Sequence, residues 1–156
     1  MKKILYTLSA VLFISLLACN NEDKEPKKTT DPQQALADTL EKEVLDGHDV
    51  AMPKSMKIPD LQKEVTRIID SIGKLPAKTQ QAAAPYKKKL DSLLIDLSYA
   101  DEAMNRWMED FNFDSAKNNI EQRVKYLADE KLKVENVKKA VLGSLAKADS
   151  LLKKRF

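Results

Sequence analysis

Apolar side chains recur every three or four residues along most of this chain, and this spacing constrains the fold more than any other feature. Such a repeat places the apolar side chains on one face of an α-helix. Glycine is scarce, with 3 residues in 156, and no segment alternates apolar and polar residues as a half-buried strand does. The chain is therefore predicted to be all-α.

The first helical stretch is predicted to contain a proline-induced irregularity. Asp31 followed by Pro32 is a typical helix start, because aspartate caps free N–H groups and proline fits the first helical position. Pro53 and Pro59 lie further along the same stretch. Each removes a backbone donor and crowds the carbonyl four residues earlier. We expect either one long first helix with a proline kink or two helices end to end.

The two later helical stretches contain no such break. The second is expected to start at Tyr86 after a linker at 74–85, within which 80–84 is compatible with an early helical turn. A turn and cap at 112–115 separate it from the third, which continues nearly to Phe156. Helices joined by short loops pack as antiparallel neighbours. Residues 32–156 are therefore predicted to form one domain, an antiparallel three-helix bundle of coiled-coil character.

The N-terminal segment predicts where the protein resides. Lys2 and Lys3 precede an apolar run that extends to Ala18 and stops at Cys19. The run is shorter than the roughly 20 residues that span a bilayer as a helix, which favours a cleaved secretory signal over a transmembrane helix. Its last residues, Leu-Leu-Ala-Cys, resemble the bacterial lipobox, in which the cysteine after the cleaved bond carries a lipid.

This segment divides into a signal, an anchor and a tether. Residues 1–18 are expected to be a lipoprotein signal peptide, and Cys19, the only cysteine, is expected to carry diacylglycerol and palmitate-type acyl chains. Residues 19–31 are polar and charged, which predicts a flexible, disordered tether. Several acyl chains anchor a protein durably to a membrane. We expect a protein anchored on the periplasmic or cell-surface side of the envelope, at the outer membrane.

The charge balance and the residue inventory exclude several functions. Lys and Arg number 27 against 24 Asp and Glu, so the basic excess of a nucleic-acid-binding protein is missing and nucleic acid is not an expected partner. The sequence has no glycine-rich phosphate loop and no Cys/His zinc spacing. A single histidine cannot build the usual acid–base relay. We do not expect an enzyme.

The rare soft side chains fall in two short windows of the sequence. They are His48, Met52 and Met56 in the first window, and Met104, Trp107 and Met108 in the second. Spacings of three and four place each set on one helical face. In an antiparallel hairpin, facing residues have a nearly constant sum of residue numbers, and the register of the aliphatic residues pairs Met52 with Trp107 and His48 with Phe111. The two windows are therefore expected to meet.

Two interpretations of these windows remain open. Thioethers and a neutral imidazole are soft ligands that suit Cu(I) or Ag(I), so the histidine and the four methionines are candidate metal ligands, with Trp107 as their aromatic neighbour. Methionine is also an adaptable core residue that packs well against aromatic rings without any metal. The leading expectation is a non-catalytic envelope lipoprotein that binds a protein partner or contributes structure. The alternative is a lipoprotein that binds or senses Cu(I).

The same windows carry a resemblance to a family. The segments HDxxMPK at 48–54 and AMxxWMxxF at 103–111 are similar to segments of short Bacteroidota lipoproteins that are often labelled viral A-type inclusion protein. That label derives from coiled-coil similarity and carries no mechanism. The resemblance covers the signal and the first two helical stretches, and it implies a helical envelope lipoprotein of unknown activity.

Overall fold

Helices account for the regular structure of this chain. A computed structural model describes residues 31–153, and within that range there are helices and no strands. The helices are α1 (Pro32–Ser55), α2 (Ile58–Gly73), α3 (Ala77–Asp110) and α4 (Ile120–Lys153). The predicted all-α class is confirmed for these residues. The signal peptide, Cys19 and the tether up to residue 30 lie outside the described residues. None of the helices in the described range is long and apolar enough to cross a membrane.

The four helices form a bundle of three columns, and α1 and α2 follow one another in the first column. The His48 ring of α1 lies against the Trp107 ring of α3, with centroids 5.7 Å apart. Further along, Gln62 of α2 donates a hydrogen bond to Ser98 of α3 at 3.1 Å. Residue numbers therefore rise along the first column as they fall along α3, which makes the two columns antiparallel.

α4 forms the third column, antiparallel to α3 and parallel to the first column. Tyr86, early in α3, donates a hydrogen bond from its hydroxyl to the carbonyl of Leu151, late in α4. Trp107, late in α3, donates to Glu130 in the first half of α4. The columns enclose one main apolar core, which includes Val44, Ile58, Val65, Leu90, Leu93, Leu97, Val134 and Val141.

The first column changes its neighbour along its length. α1 packs mainly on α4, whereas α2 packs mainly on α3. Small buried residues allow α1 to approach α4 closely, namely Ala37, Gly47 and Ala51. A Cβ atom placed on Gly47 would lie only 2.9 Å from Cγ1 of Val134. This change of neighbour leaves one groove between α1 and α3 and another between α2 and α4.

The first helical stretch consists of two helices, which is one of the two expected forms. α1 ends at Ser55 and α2 begins at Ile58. Pro53 lies in the last turn of α1, where side chains pair with nearby carbonyls: Lys54 donates to the carbonyl of Val50 at 3.0 Å, and the Ser55 hydroxyl donates to that of Met52 at 2.9 Å. These bonds satisfy carbonyls that the end of a helix leaves without a backbone partner.

The prediction of a linker at 74–85 is wrong, because α3 already begins at Ala77. The side chain of Gln80 donates to the carbonyls of Gly73 at 2.8 Å and Leu75 at 2.7 Å, which closes the short α2–α3 connection. Three alanines before Pro85 are strong helix formers. Pro85 is accommodated inside the helix at an exposed position, where water can pair with the carbonyl that the proline leaves free.

The α3–α4 loop (111–119) folds back onto α4. The backbone N–H of Asn112 donates to the Tyr126 hydroxyl at 2.7 Å, and the Asn112 side chain accepts from the N–H of a residue later in the turn. The expected turn is therefore present. The cap of α4 lies further along the loop than expected, at Asn119, whose side chain accepts from the N–H of Gln122 at 3.1 Å.

Candidate functional site

The α1/α3 groove contains several of the residues that the sequence singles out. Its volume is about 450 Å³. It is lined by Leu45, His48, Asp49, Trp107, Met108, Phe111 and Phe113. The two sequence windows do meet here, but the His48 ring, which was predicted to face Phe111, lies against Trp107. The register therefore differs by about one helical turn from the predicted pairing.

Four rings form a continuous row along this groove. His48 is followed by Trp107, and Trp107 stacks on Phe111 with centroids 5.0 Å apart and planes at 22°. Phe111 then meets Phe113 edge to face, with centroids 4.8 Å apart and planes at 74°. These separations are within the range that aromatic pairs favour. Phe113 is 49% exposed, so the row of rings reaches the surface.

A buried carboxylate fixes the Trp107 ring from the side of α4. The indole Nε1 of Trp107 donates to Oε2 of Glu130 at 3.0 Å, and Nζ of Lys133 donates to the other oxygen, Oε1, at 2.7 Å. Glu130 is buried, so both of its oxygens need partners. The hydrogen bond to Glu130 holds the pKa of Lys133 above its ordinary value of 10.5. The indole plane is therefore set by a bond that lies outside the groove.

His48 and Asp49 form the polar part of the groove. Nδ1 of His48 lies 2.9 Å from Oδ1 of Asp49. This contact orients the imidazole and leaves Nε2 as the ring nitrogen that a ligand would meet. The Asp49 side chain is 75% exposed, so its carboxylate lies at the mouth of the groove.

The five candidate metal ligands have different surroundings. His48 and Met108 line the α1/α3 groove. Met104 is 1% exposed inside the core, and Met52 packs against that core from its edge. Met56 is 71% exposed and lines the other groove. The structure thus brings two of the five into one groove with Trp107. Among residues 31–153, no three His, Cys, Asp or Glu side chains are grouped so as to hold a metal ion.

The α2/α4 groove is larger and more highly charged. Its volume is about 630 Å³. It is lined by Lys54, Met56, Lys57, Asp60, Leu61, Glu64, Leu142, Leu145, Ala146 and Asp149. Half of these side chains are ionisable. Long charged side chains keep their heads in water, so this surface behaves as a solvated face.

Two buried charged residues that support the α1/α3 region were missed in the sequence. Glu130 orients Trp107, and Arg123 joins three parts of the molecule. The Arg123 guanidinium donates to Glu41 of α1 at 2.7 Å and to the carbonyl of Ser115 in the α3–α4 loop at 2.9 Å. The only signal for either residue is its place on the apolar face of α4, with Leu127 between them.

The fold and the groove define an all-helical bundle with a preformed aromatic cleft. Comparisons with protein-family models, with curated proteins and with solved structures find no match to this chain. Its function is therefore inferred from its own residues and their geometry.

Proposed function

We propose that this protein is a non-catalytic, lipid-anchored module of the cell envelope that binds a protein partner in the α1/α3 groove. The supporting observation is the row of four rings, which forms an apolar cleft that is open to solvent at Phe113. Aromatic side chains in well-packed pockets contribute most of the affinity in protein interfaces. The acylated Cys19 and the tether hold this cleft close to the membrane, where envelope proteins are accessible to it.

The α1/α3 groove exists because α1 packs on α4, whereas α2 packs on α3. We attribute the change of neighbour between the two helices to the break near Pro53 and Pro59, since prolines interrupt the backbone hydrogen bonds of a helix. A first column that packed on α3 along its whole length, as α2 does, would fill the space beside α3. In this proposal, the interruption of the first column at these prolines also leaves room for the binding cleft.

Photo-crosslinking tests the groove. Benzoylphenylalanine replaces Phe113 in the full chain, and a matched control carries it at Tyr99, which is 65% exposed on another face of α3. We expect one discrete protein adduct in membranes from the Phe113 position and none from the Tyr99 position. Equal adducts at both positions, or no adduct at Phe113, would contradict a partner that binds in this groove.

Metabolic labelling tests the anchor. An alkyne-tagged palmitate is expected to label the full chain, and Cys19→Ser is expected to abolish both the label and recovery in the membrane fraction. Labelling that persists in the Cys19→Ser variant would show that the lipid is attached elsewhere or that the signal is read differently.

A second candidate function is soft-metal binding, and it is favoured by the presence of His48 and Met108 in one groove. Imidazole nitrogen and thioether sulfur are both ligands for Cu(I). The test is a titration of Trp107 fluorescence with Cu(I) against a competing chelator. Met108→Leu nearly keeps the side-chain volume and is expected to weaken binding, whereas Met56→Leu, in the other groove, is the matched control. Unchanged emission without competition would exclude this function.

A further inference from the structure

The α1/α3 groove differs from its neighbours in charge. Its lining contains the Asp49 carboxylate and no lysine or arginine. Four other grooves of the described residues each include at least one lysine or arginine in their lining. The α1/α3 groove therefore combines an apolar surface with the Asp49 carboxylate, and among its lining residues that carboxylate contacts only the imidazole of His48.

The rings of this groove also favour a positively charged ligand. The face of an aromatic ring carries partial negative charge and attracts cations, most strongly when water is excluded. Phe111 and Phe113 meet edge to face at 74°, and Trp107 stacks on Phe111 at 22°. A side chain that enters the groove at Phe113 therefore meets ring planes of two different orientations.

Asp49 marks the place in the groove where a positively charged group would bind. One of its oxygens is held by His48 Nδ1 at 2.9 Å, so the carboxylate is oriented before any ligand arrives. The exposed remainder of the group faces solvent at the mouth, while the Trp107 ring is buried. An occupant with an apolar stem and a positively charged head would pair with both features.

Helix α3, which forms one wall of the groove, adds further negative charge near it. Its last turns carry Asp101, Glu102, Glu109 and Asp110. The one cation among these residues, Arg106, pairs with Glu102. Such an excess of one charge raises the local concentration of oppositely charged partners and speeds their association.

We infer that the occupant of the α1/α3 groove is a lysine or arginine side chain of a protein partner, with its stem against the rings and its charge beside Asp49. This inference rests on the proposed function and names the chemistry of the partner residue. A basic side chain fits better than a neutral aliphatic one because the groove offers a carboxylate and ring faces together.

A matched pair of small probes tests the inference. n-Butylammonium reproduces the lysine side chain, and 1-butanol is its neutral counterpart of the same size. Each is titrated into the mature lipidated chain in detergent micelles, and the ¹⁵N indole resonance of Trp107, the only tryptophan, is followed. We expect n-butylammonium to bind about 2- to 30-fold more tightly than 1-butanol, because the ammonium pairs with the Asp49 carboxylate and the nearby rings add a smaller cation–π contribution.

Two variants locate the effect. Asp49→Asn is expected to remove most of the preference for the ammonium, while Asp60→Asn, which changes a carboxylate of the α2/α4 groove, is expected to keep it. A preference that both variants retain would overturn the role of Asp49 and with it the inferred binding mode.

The remaining outcomes separate the inference from the proposed function. Equal or tighter binding of 1-butanol would overturn the inference and leave the groove as an apolar binding site. No shift with either probe would also overturn it, and the Phe113 crosslink would then decide the proposed function by itself. Displacement of n-butylammonium by added phosphatidylethanolamine would assign the groove to a lipid headgroup and would equally overturn a protein partner.

Discussion

The α1/α3 and α2/α4 grooves differ most in what holds their walls. The smaller α1/α3 groove has an indole pinned by the buried Glu130 and an imidazole tied to Asp49. The larger α2/α4 groove is lined by charged side chains and by Met56, which is mostly exposed. Ordering flexible side chains on binding costs about 0.5–1.5 kcal/mol each. The comparison teaches that the smaller groove is the one whose ring side chains are already held in place, which is why we propose it as the binding site.

The largest expected effect concerns the bond that pins Trp107. Glu130→Ala leaves the buried indole N–H without a partner and creates a cavity, so we expect a loss of about 3 kcal/mol of unfolding free energy. Urea unfolding followed by circular dichroism measures it. Asp129→Ala, on the exposed side of the same helix, is the control and is expected to change stability by about 0.5 kcal/mol or less. Equal losses in both variants would show that Glu130 does not support this wall.

The second effect compares two ion pairs between α1 and α4. Arg123–Glu41 is buried at the arginine, whereas Lys131–Glu43 is partly exposed at both ends. Arg123→Met removes the charge and frees the α3–α4 loop, so we expect a loss of about 2 kcal/mol. Lys131→Met is expected to cost about 0.5 kcal/mol or less, because exposed pairs contribute little. Chemical denaturation of the two variants side by side tests the difference, and similar midpoints would contradict it.

The third effect concerns the close approach of α1 to α4. Gly47→Ala places a methyl group against the buried Val134, and overpacking typically costs more than the gain in helix propensity. We expect a net loss of about 1 kcal/mol. Gly143→Ala meets nothing within 4 Å and is expected to stabilise the protein by about 0.5–1 kcal/mol. Opposite shifts in melting temperature are the expected observation, and a stabilised Gly47→Ala variant would show that α1 can move away from α4 freely.

The smallest effect concerns the α2/α4 groove. Met56→Ser changes a side chain that is 71% exposed, so we expect stability to change by about 0.5 kcal/mol or less. Crosslinking from Phe113 is expected to stay the same in this variant. A substantial loss of the adduct would show that the two grooves act together rather than separately.

The helical pattern of the fold was readable from the sequence. Ile58, Val65 and Ile72 are buried on one face of α2, as their spacing predicts. The start of α3 was misread because Pro85 was taken as a boundary. Proline is disfavoured inside a helix, but its cost falls where the carbonyl it leaves free is solvated, and periodicity alone does not report that exposure.

The site was readable only in part. The sequence placed His48, Met108 and Trp107 in two windows that meet. It could not assign Met56 to another groove, because periodicity specifies the face of a helix and not the neighbour to which that face turns. Glu130 was missed for a related reason. A buried carboxylate depends on a donor from another column, and Trp107 lies 23 positions away in the chain.

The location of Trp107 determines what an optical melting experiment observes. Its contacts join α1, α3 and α4, so its emission reports the half of the molecule that contains the α1/α3 groove. Far-ultraviolet circular dichroism reports every helix, α2 included. If the bundle unfolds as one cooperative unit, the two transitions coincide. If α2 and the adjoining part of α3 fray first, ellipticity is lost before emission changes, and this single indole then distinguishes a two-state protein from one with two foldons.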